Sequence, residues 1–364
     1  MKKILVLAIA LAAASMATAD VRVGGPRNAG LGGAGLALPF RPTQNAILNP
    51  SFFALSKGFN FAWPGFGARV NGISLSDASD YLRDLSNGSI SDTDLDRLAK
   101  QFGDGRVEFG ANADFAFSFN NFGFIADGAA DAVSVPNQTL INWTNGGAVG
   151  NPTVGSQLDA YGVGAYSFRF GYGHKQAIKG GDLSYGATLN IVEARYAHKI
   201  AAYTGGASAT VSNGLDIPGS GDTTSDRGVG VDLGFLYQPQ FDRKLSFGLT
   251  VNNFVQPNVK FNRQLPNSAV VLRDDINLFR TRYNFGAGYL LNDRVMLAAD
   301  VLDFGNRSGL SGLVVGGSVN IAKGVDFTIG YNTRTAFSYG FSFGGFNIQV
   351  GGQQPLTIGT GFKF

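Results

Sequence analysis

The chain has 364 residues, of which 52 are Gly, 30 Phe and 12 Tyr, with 15% charged residues and no Cys. Its 29 Lys and Arg stand against 26 Asp and Glu, a near-neutral balance that gives no footing for a nucleic-acid partner. The absence of Cys excludes a disulfide framework, a thiol nucleophile and a lipid-attachment thiol, and no segment beyond the N-terminus approaches the run of about 20 apolar residues that a membrane helix requires.

Residues 1–19 open with Lys2 and Lys3, continue with an apolar run from Ile4 to Ala14, and end in Ala17-Thr18-Ala19 before Asp20. A positive head, a short apolar stretch and a small-x-small site describe a signal peptide cleaved after Ala19, with the mature chain exported from the cytoplasm.

Residues 20–57 carry R-N-A-G-L-G-G-A-G-L-A and then P-F-R-P-T-Q-N-A-I-L-N-P-S-F-F-A-L. Gly30, Gly32 and Gly35 satisfy the dinucleotide spacing G-x-G-x-x-G, which needs a buried strand before it and a helix after it. The cleavage site lies just upstream, Pro39 and Pro42 break a helix downstream, and Leu55 stands where a ribose-binding acid belongs, so the nucleotide reading fails. The stretch resembles the N-terminus of the FadL-type superfamily of outer-membrane proteins, through Leu31, Gly32, Gly33, Ala34 and Gly35 and through Asn49, Pro50 and Ser51, where that family usually has N-P-A. A related TraF-like or PorV-like branch shares this opening, and the length of the chain suits it. The resemblance implies that residues 20–57 form a hatch folded inside a barrel. Glycines allow tight turns and close approach to a wall, and Pro50 fixes a bend.

From residue 58 to 364, segments of strict period two recur. The clearest are Val107–Phe119, Arg227–Gln238, Thr281–Leu291, Val325–Asn332 and Thr335–Phe343, each with apolar residues on one face and Ser, Gly, Asn, Asp or Thr on many positions of the other. Weaker candidates are Gly58–Phe66, Phe122–Val135, Leu158–Tyr172, Asp182–Tyr203, Leu245–Val255, Arg294–Phe304, Gly312–Ala322 and Phe346–Gly351. Short turns, among them Asn120-Asn121 and His174–Gly181, alternate with longer connections. The pattern predicts an all-β fold, a transmembrane antiparallel β-barrel of about 14 strands with a short helical extracellular loop at 67–106, to which the resemblance adds an internal N-terminal hatch. In that loop Ser91 and Asp94 form a capping-box pattern before Leu95, Leu98, Ala99 and Phe102, which suits either a ligand-docking patch or plain loop packing.

No catalytic constellation is visible. His174 and His198 fall at opposite ends of the expected barrel, too far apart for a metal pair, and there is no G-x-S-x-G elbow. Arg169, Asp232, Asp300 and Asp326 share parity with the small polar residues of their strands and are expected to face the lumen, where they solvate the interior and bridge to the hatch or line a permeation path. The final strand, Pro355–Phe364, alternates apolar and small residues. Its Thr357, Gly359, Phe362 and Phe364 resemble the C-terminal signal read by the outer-membrane barrel assembly machinery. These features point to a protein of the outer membrane, in contact with its lipid. The resemblance implies binding or transport of small hydrophobic molecules such as fatty acids or hydrocarbons, with capture by the outer loops and no cofactor. Its related branch implies instead a barrel that transports nothing and serves secretion, surface-attachment or conjugation proteins.

Overall fold

The computed structural model describes residues 31, 33–39, 42–71, 89–91, 107–145, 153–202, 208–212, 223–259, 279–305, 311–322, 325–333, 336–343, 346–351 and 356–360. Sixteen strands join in one antiparallel sheet. They are β1 (Phe59–Asn71), β2 (Ser89–Ser91), β3 (Val107–Phe119), β4 (Phe122–Pro136), β5 (Gln157–Ile178), β6 (Gly181–Ala202), β7 (Ser208–Ser212), β8 (Thr223–Pro239), β9 (Leu245–Val255), β10 (Arg282–Leu290), β11 (Val295–Leu302), β12 (Gly312–Ala322), β13 (Val325–Asn332), β14 (Ala336–Phe343), β15 (Phe346–Gly351) and β16 (Leu356–Thr360). Helices α1 (Pro42–Asn45) and α2 (Gln138–Asn145) and a 3₁₀ turn at Pro50–Leu55 complete the described elements.

The short pair β2 and β7 extends one edge of β6. Every other strand has a hydrogen-bonded neighbour on each side: β16 pairs with β1 at Gly65↔Gly359, and β6 pairs with β8 from Gly181↔Pro239 to Ala197↔Thr223. The ladder therefore returns on itself through 14 strands, and a ring has no edge to leave unpaired in hydrocarbon.

Strands β3, β9, β12, β13 and β15 begin and end where the period-two pattern places them. Two expectations are corrected. β1 does not stop at Phe66 but runs to Asn71, pairing with β3 as far as Glu108, so residues 67–71 are wall and not loop. The register slips between Ala62 and Gly65, across Pro64, which has no N–H to give a ladder and is tolerated at such a bulge. The expected turn His174–Gly181 shrinks to Lys179-Gly180, closed by Ile178↔Gly181 with Gly180 at φ 95°. Polarity there marks a strand end in water, and only the glycine marks the turn. The helix α2, inside an expected loop, starts where the side chain of Asn137 accepts from Leu140 N at 2.9 Å. The expected helices of the 67–106 loop fall on residues outside those described, as do residues 1–30.

The two faces of the wall have opposite chemistry. On β13, Asp326, Thr328 and Asn332 are buried while Phe327, Ile329 and Tyr331 are exposed. Phe285 is 47% and Tyr339 52% exposed, and their neighbours Asn284 and Ser338 are buried. A soluble sandwich would reverse this, so the outer face is built for lipid. On β8 the apolar stripe runs from Tyr237 up to Arg227, roughly 25 Å of height for a strand tilted by about 40°. Placing a charge in the stripe is costly: Phe285→Arg is expected to destabilise the barrel by about 2–4 kcal/mol in bilayers, read from urea unfolding titrations in lipid vesicles.

Candidate functional site

The site is the segment inside the ring. Gly33 at φ 97° and Gly35 at φ 151° take backbone conformations that L side chains rarely adopt, beside turns in which Ala34 N donates to Leu31 O and Leu38 N donates to Gly35 O, each at 3.3 Å. Leu31, Ala34, Leu36, Ala37 and Leu38 are all buried, as are Ile47, Phe52 and Phe53 after α1. Between these two apolar groups stands Asn49, with no exposed surface. Its Nδ2 donates to Leu36 O at 2.8 Å and to Phe235 O at 3.1 Å, joining the two parts of the hatch to each other and to β8. Its Oδ1 accepts from Ser51 N at 3.1 Å and Ser51 Oγ at 2.7 Å, capping the turn that Pro50 starts. Ser51 thus makes a hydrogen bond that alanine at this position could not. Asn49→Ala is expected to cost about 1–2 kcal/mol and to speed amide exchange through 49–56.

The wall meets this segment with glycine. Phe53 lies flat on Gly123 and Gly171, which pair across β4 and β5: a Cβ built on either would sit within 2.1 Å of the ring. Gly186 faces Pro50 O, Gly234 faces Asn49 Oδ1, Gly248 faces Leu36 O and Gly316 faces Leu31 O, each closer than a Cβ could tolerate. These glycines belong to β4, β5, β6, β8, β9 and β12, so the hatch presses on much of the ring. The sequence signal was present, since each sits at inward parity on its strand.

Polar ties complete the seat. Asp300 on β11 is 1% exposed, and its Oδ2 accepts from Gly35 N at 2.7 Å and Leu36 N at 3.1 Å. Arg169 on β5, equally buried, donates to Ile47 O at 3.3 Å and to Ser167 Oγ, and pairs with Asp127. Ser246 donates to Ala37 O at 2.5 Å, and the Thr43 and Ser118 hydroxyls meet at 2.6 Å. Sequence reasoning missed these two hydroxyl contacts. The other two lumen residues serve the wall: Asp232 accepts from Asn253 N at 2.7 Å, where β9 bulges and Asn253 has φ 52°, and Asp326 accepts from Asn320 Nδ2 at 2.9 Å near a strand end. Thr357 and Gly359 lie in β16, paired with Gly67 and Gly65 of β1. Gly32, Phe362 and Phe364 lie outside the described residues. His174 is in β5, its ring 5.5 Å from that of Tyr185.

Among the described residues, two apolar clusters join the hatch to the wall inside the ring. One cluster joins Ile47, Phe52 and Phe53 to Ala116, Ile125 and Leu236, and another joins Leu31, Ala34 and Leu38 to Met296, Ala298 and Val314. Elsewhere among the described residues the buried inner face is mostly polar, as at Thr188, Asn190, Thr250, Asn284, Ser318 and Ser342, with Val192 an apolar exception.

A search of curated proteins returned no match. Among solved structures, the chain is similar to a TodX monoaromatic hydrocarbon channel carrying the deltaS2 mutation, with TM-score 0.53 at 12% identity over 93% of this chain and 98% of that one. Lower similarity is found to the Ralstonia pickettii toluene transporter TbuX, TM-score 0.38 at 13% identity over 93% and 98% of the two chains. The outer membrane phospholipase A of Escherichia coli follows, at 0.31 and 12% over 83% and 91%. At such identities the first likeness speaks for the barrel fold. The sequence profile described as "F plasmid transfer operon, TraF, protein" matches residues 46–301, from the second half of the hatch to the end of β11. A match over most of the chain, on the hatch and the wall that seats it, places this protein in the TraF family.

Proposed function

We propose that the protein is an outer-membrane barrel that binds or passes small hydrophobic molecules, with residues 31–55 as its gate. The observation that carries this reading is that two apolar clusters of the described interior lie where hatch and wall meet. Displacing the hatch would open two apolar surfaces among described inner residues that are mostly polar. A hydrophobic molecule would gain there roughly 25 cal/mol per Å² of surface removed from water, so the cycle needs no nucleotide. Asp300 and Arg169 hold the gate shut until ligand competes for the surfaces beneath it. Delivery to the outer membrane would use the signal peptide ending at Ala19, and insertion by the barrel assembly machinery would use Thr357, Gly359, Phe362 and Phe364.

Proteoliposomes test this. Saturable binding or uptake of a long-chain fatty acid or a monoaromatic hydrocarbon is expected, faster in Asp300→Ala at equal barrel content. No binding and no flux with either class of compound would remove the transport reading. The family match and the number of strands gripping the hatch favour a second reading, a barrel that transports nothing and serves a secretion, surface-attachment or conjugation apparatus. In that case Asp300→Ala loosens the hatch without producing flux, and partner proteins co-purify with the parent.

A further inference from the structure

We propose that the free edge of β5 from His174 to Ile178 is a docking strand for an extended acidic segment of a partner protein, on the side of the membrane where the short turns lie. Pairing with β4 ends at Phe122↔Tyr172, yet β5 continues to Ile178, still paired on its other side with β6 down to Ile178↔Gly181. Strand tilt in a closed barrel requires a stagger of only about two or three residues per hairpin, so most of this six-residue overhang is not imposed by closure.

The phase of the edge is fixed by Gly173, whose N–H donates to Asn121 O at 2.9 Å on the β4 side. Lys175 and Ala177 share that phase, so their N–H and C=O groups face away from β6, and no strand among the described residues pairs with them there. Residues 174–180 are all exposed. The overhang is stiffened from behind: Gly180 O accepts from Gln240 N at 2.7 Å and from Tyr237 Oη at 2.9 Å, and Asp182 binds Lys175 at 3.0 Å as well as Arg243. A strand held straight before binding loses little conformational freedom when a second strand adds to it.

Charge selects the occupant. Lys175 and Lys179 lie on the edge and its turn, and Asp182 of β6 holds Lys175 together with Arg243, an excess of positive charge. Ile178, 40% exposed, adds an apolar contact for an added side chain. A second copy of this chain would bring lysine opposite lysine, which opposes pairing. Lipid phosphates would engage the lysines but leave the alternating carbonyls unserved, whereas a strand satisfies both. The inference stands whether or not the barrel transports anything.

The test uses the full-length barrel in nanodiscs of uncharged lipid, with a fluorescent peptide alternating valine and glutamate and a counterpart alternating valine and lysine. Saturable binding of the acidic peptide alone is expected, with slowed amide exchange at Lys175 and Ala177. Lys179→Glu should weaken it. Ala177→Pro, which removes an edge N–H without touching the ladder to β6, should weaken it by about tenfold or more while the barrel keeps its folded mobility on gels. The proposal is overturned by no binding, by equal binding of both peptides, by binding that Ala177→Pro leaves unchanged, or by an edge protected through self-association or by anionic vesicles and not by peptide.

Discussion

Gly248→Val unseats the hatch and leaves the barrel folded. A Cβ at this position lies 2.3 Å from Leu36 O and 2.8 Å from Leu36 C, backbone atoms that no rotamer change can move. The wall cannot retreat, because Gly248 is paired with Gly286 on β10 and Leu236 on β8. Valine suits a strand, so the conflict falls on the hatch alone. The expected penalty is about 3 kcal/mol or more against the seated hatch, the upper range for overpacking because the clash is with main chain. Hydrogen exchange should accelerate through 31–55 and leave β9–β11 protected. Gly317→Ala is the control: its Cβ would meet Leu297 Cδ2 at 3.4 Å, an ordinary contact, and exchange should not change.

Asp300→Ala loosens the same segment from the opposite direction. Its carboxylate accepts from two buried amides, Gly35 N and Leu36 N, and alanine leaves both without a partner. Each orphaned donor costs about 1–3 kcal/mol, so the loss in hatch stability should reach about 2–5 kcal/mol, with less for Asp300→Asn, which keeps an acceptor oxygen. The double variant Gly248→Val with Asp300→Ala should cost little more than the larger single change, because both act on Leu36 and the segment can be released only once. The readout is protease sensitivity of residues 31–55 at constant barrel content.

Much of this architecture can be read along the chain because a membrane wall obeys a strict rule. Every second residue must tolerate hydrocarbon, and Phe327, Ile329 and Tyr331 against Asp326, Thr328 and Asn332 announce their faces without help from tertiary context. The rule weakens where strands leave the bilayer. The Gly67–Asn71 end of β1 and the His174–Ile178 end of β5 are mostly small or polar, with only Val70 and Ile178 apolar, so they resemble loops, and only their partner strands make them wall. Arg169, Asp232, Asp300 and Asp326 share inward parity in the sequence and are buried, but parity alone could not divide them. Arg169 and Asp300 reach the hatch, while Asp232 serves a bulge created by the register of β8 and β9. The glycines under the hatch share that inward parity, but parity does not say what lies on them. A glycine in a strand reads as weakness until the segment that lies on it is known.

All of this depends on a wall with lipid on one side and a filled interior on the other, and spin labels compare the two sides directly. Single labels at Phe285, Phe327 and Tyr339, and in separate samples at Thr328 and Ser338, would be measured in lipid vesicles for collision with oxygen and with a water-soluble nickel chelate. The first three should collide freely with oxygen and scarcely with nickel, and the last two should collide poorly with oxygen. Labels at Phe285 and Tyr339 shielded from both reagents, or freely reached by nickel, would mean that those rings do not meet lipid, and the barrel described here would be wrong.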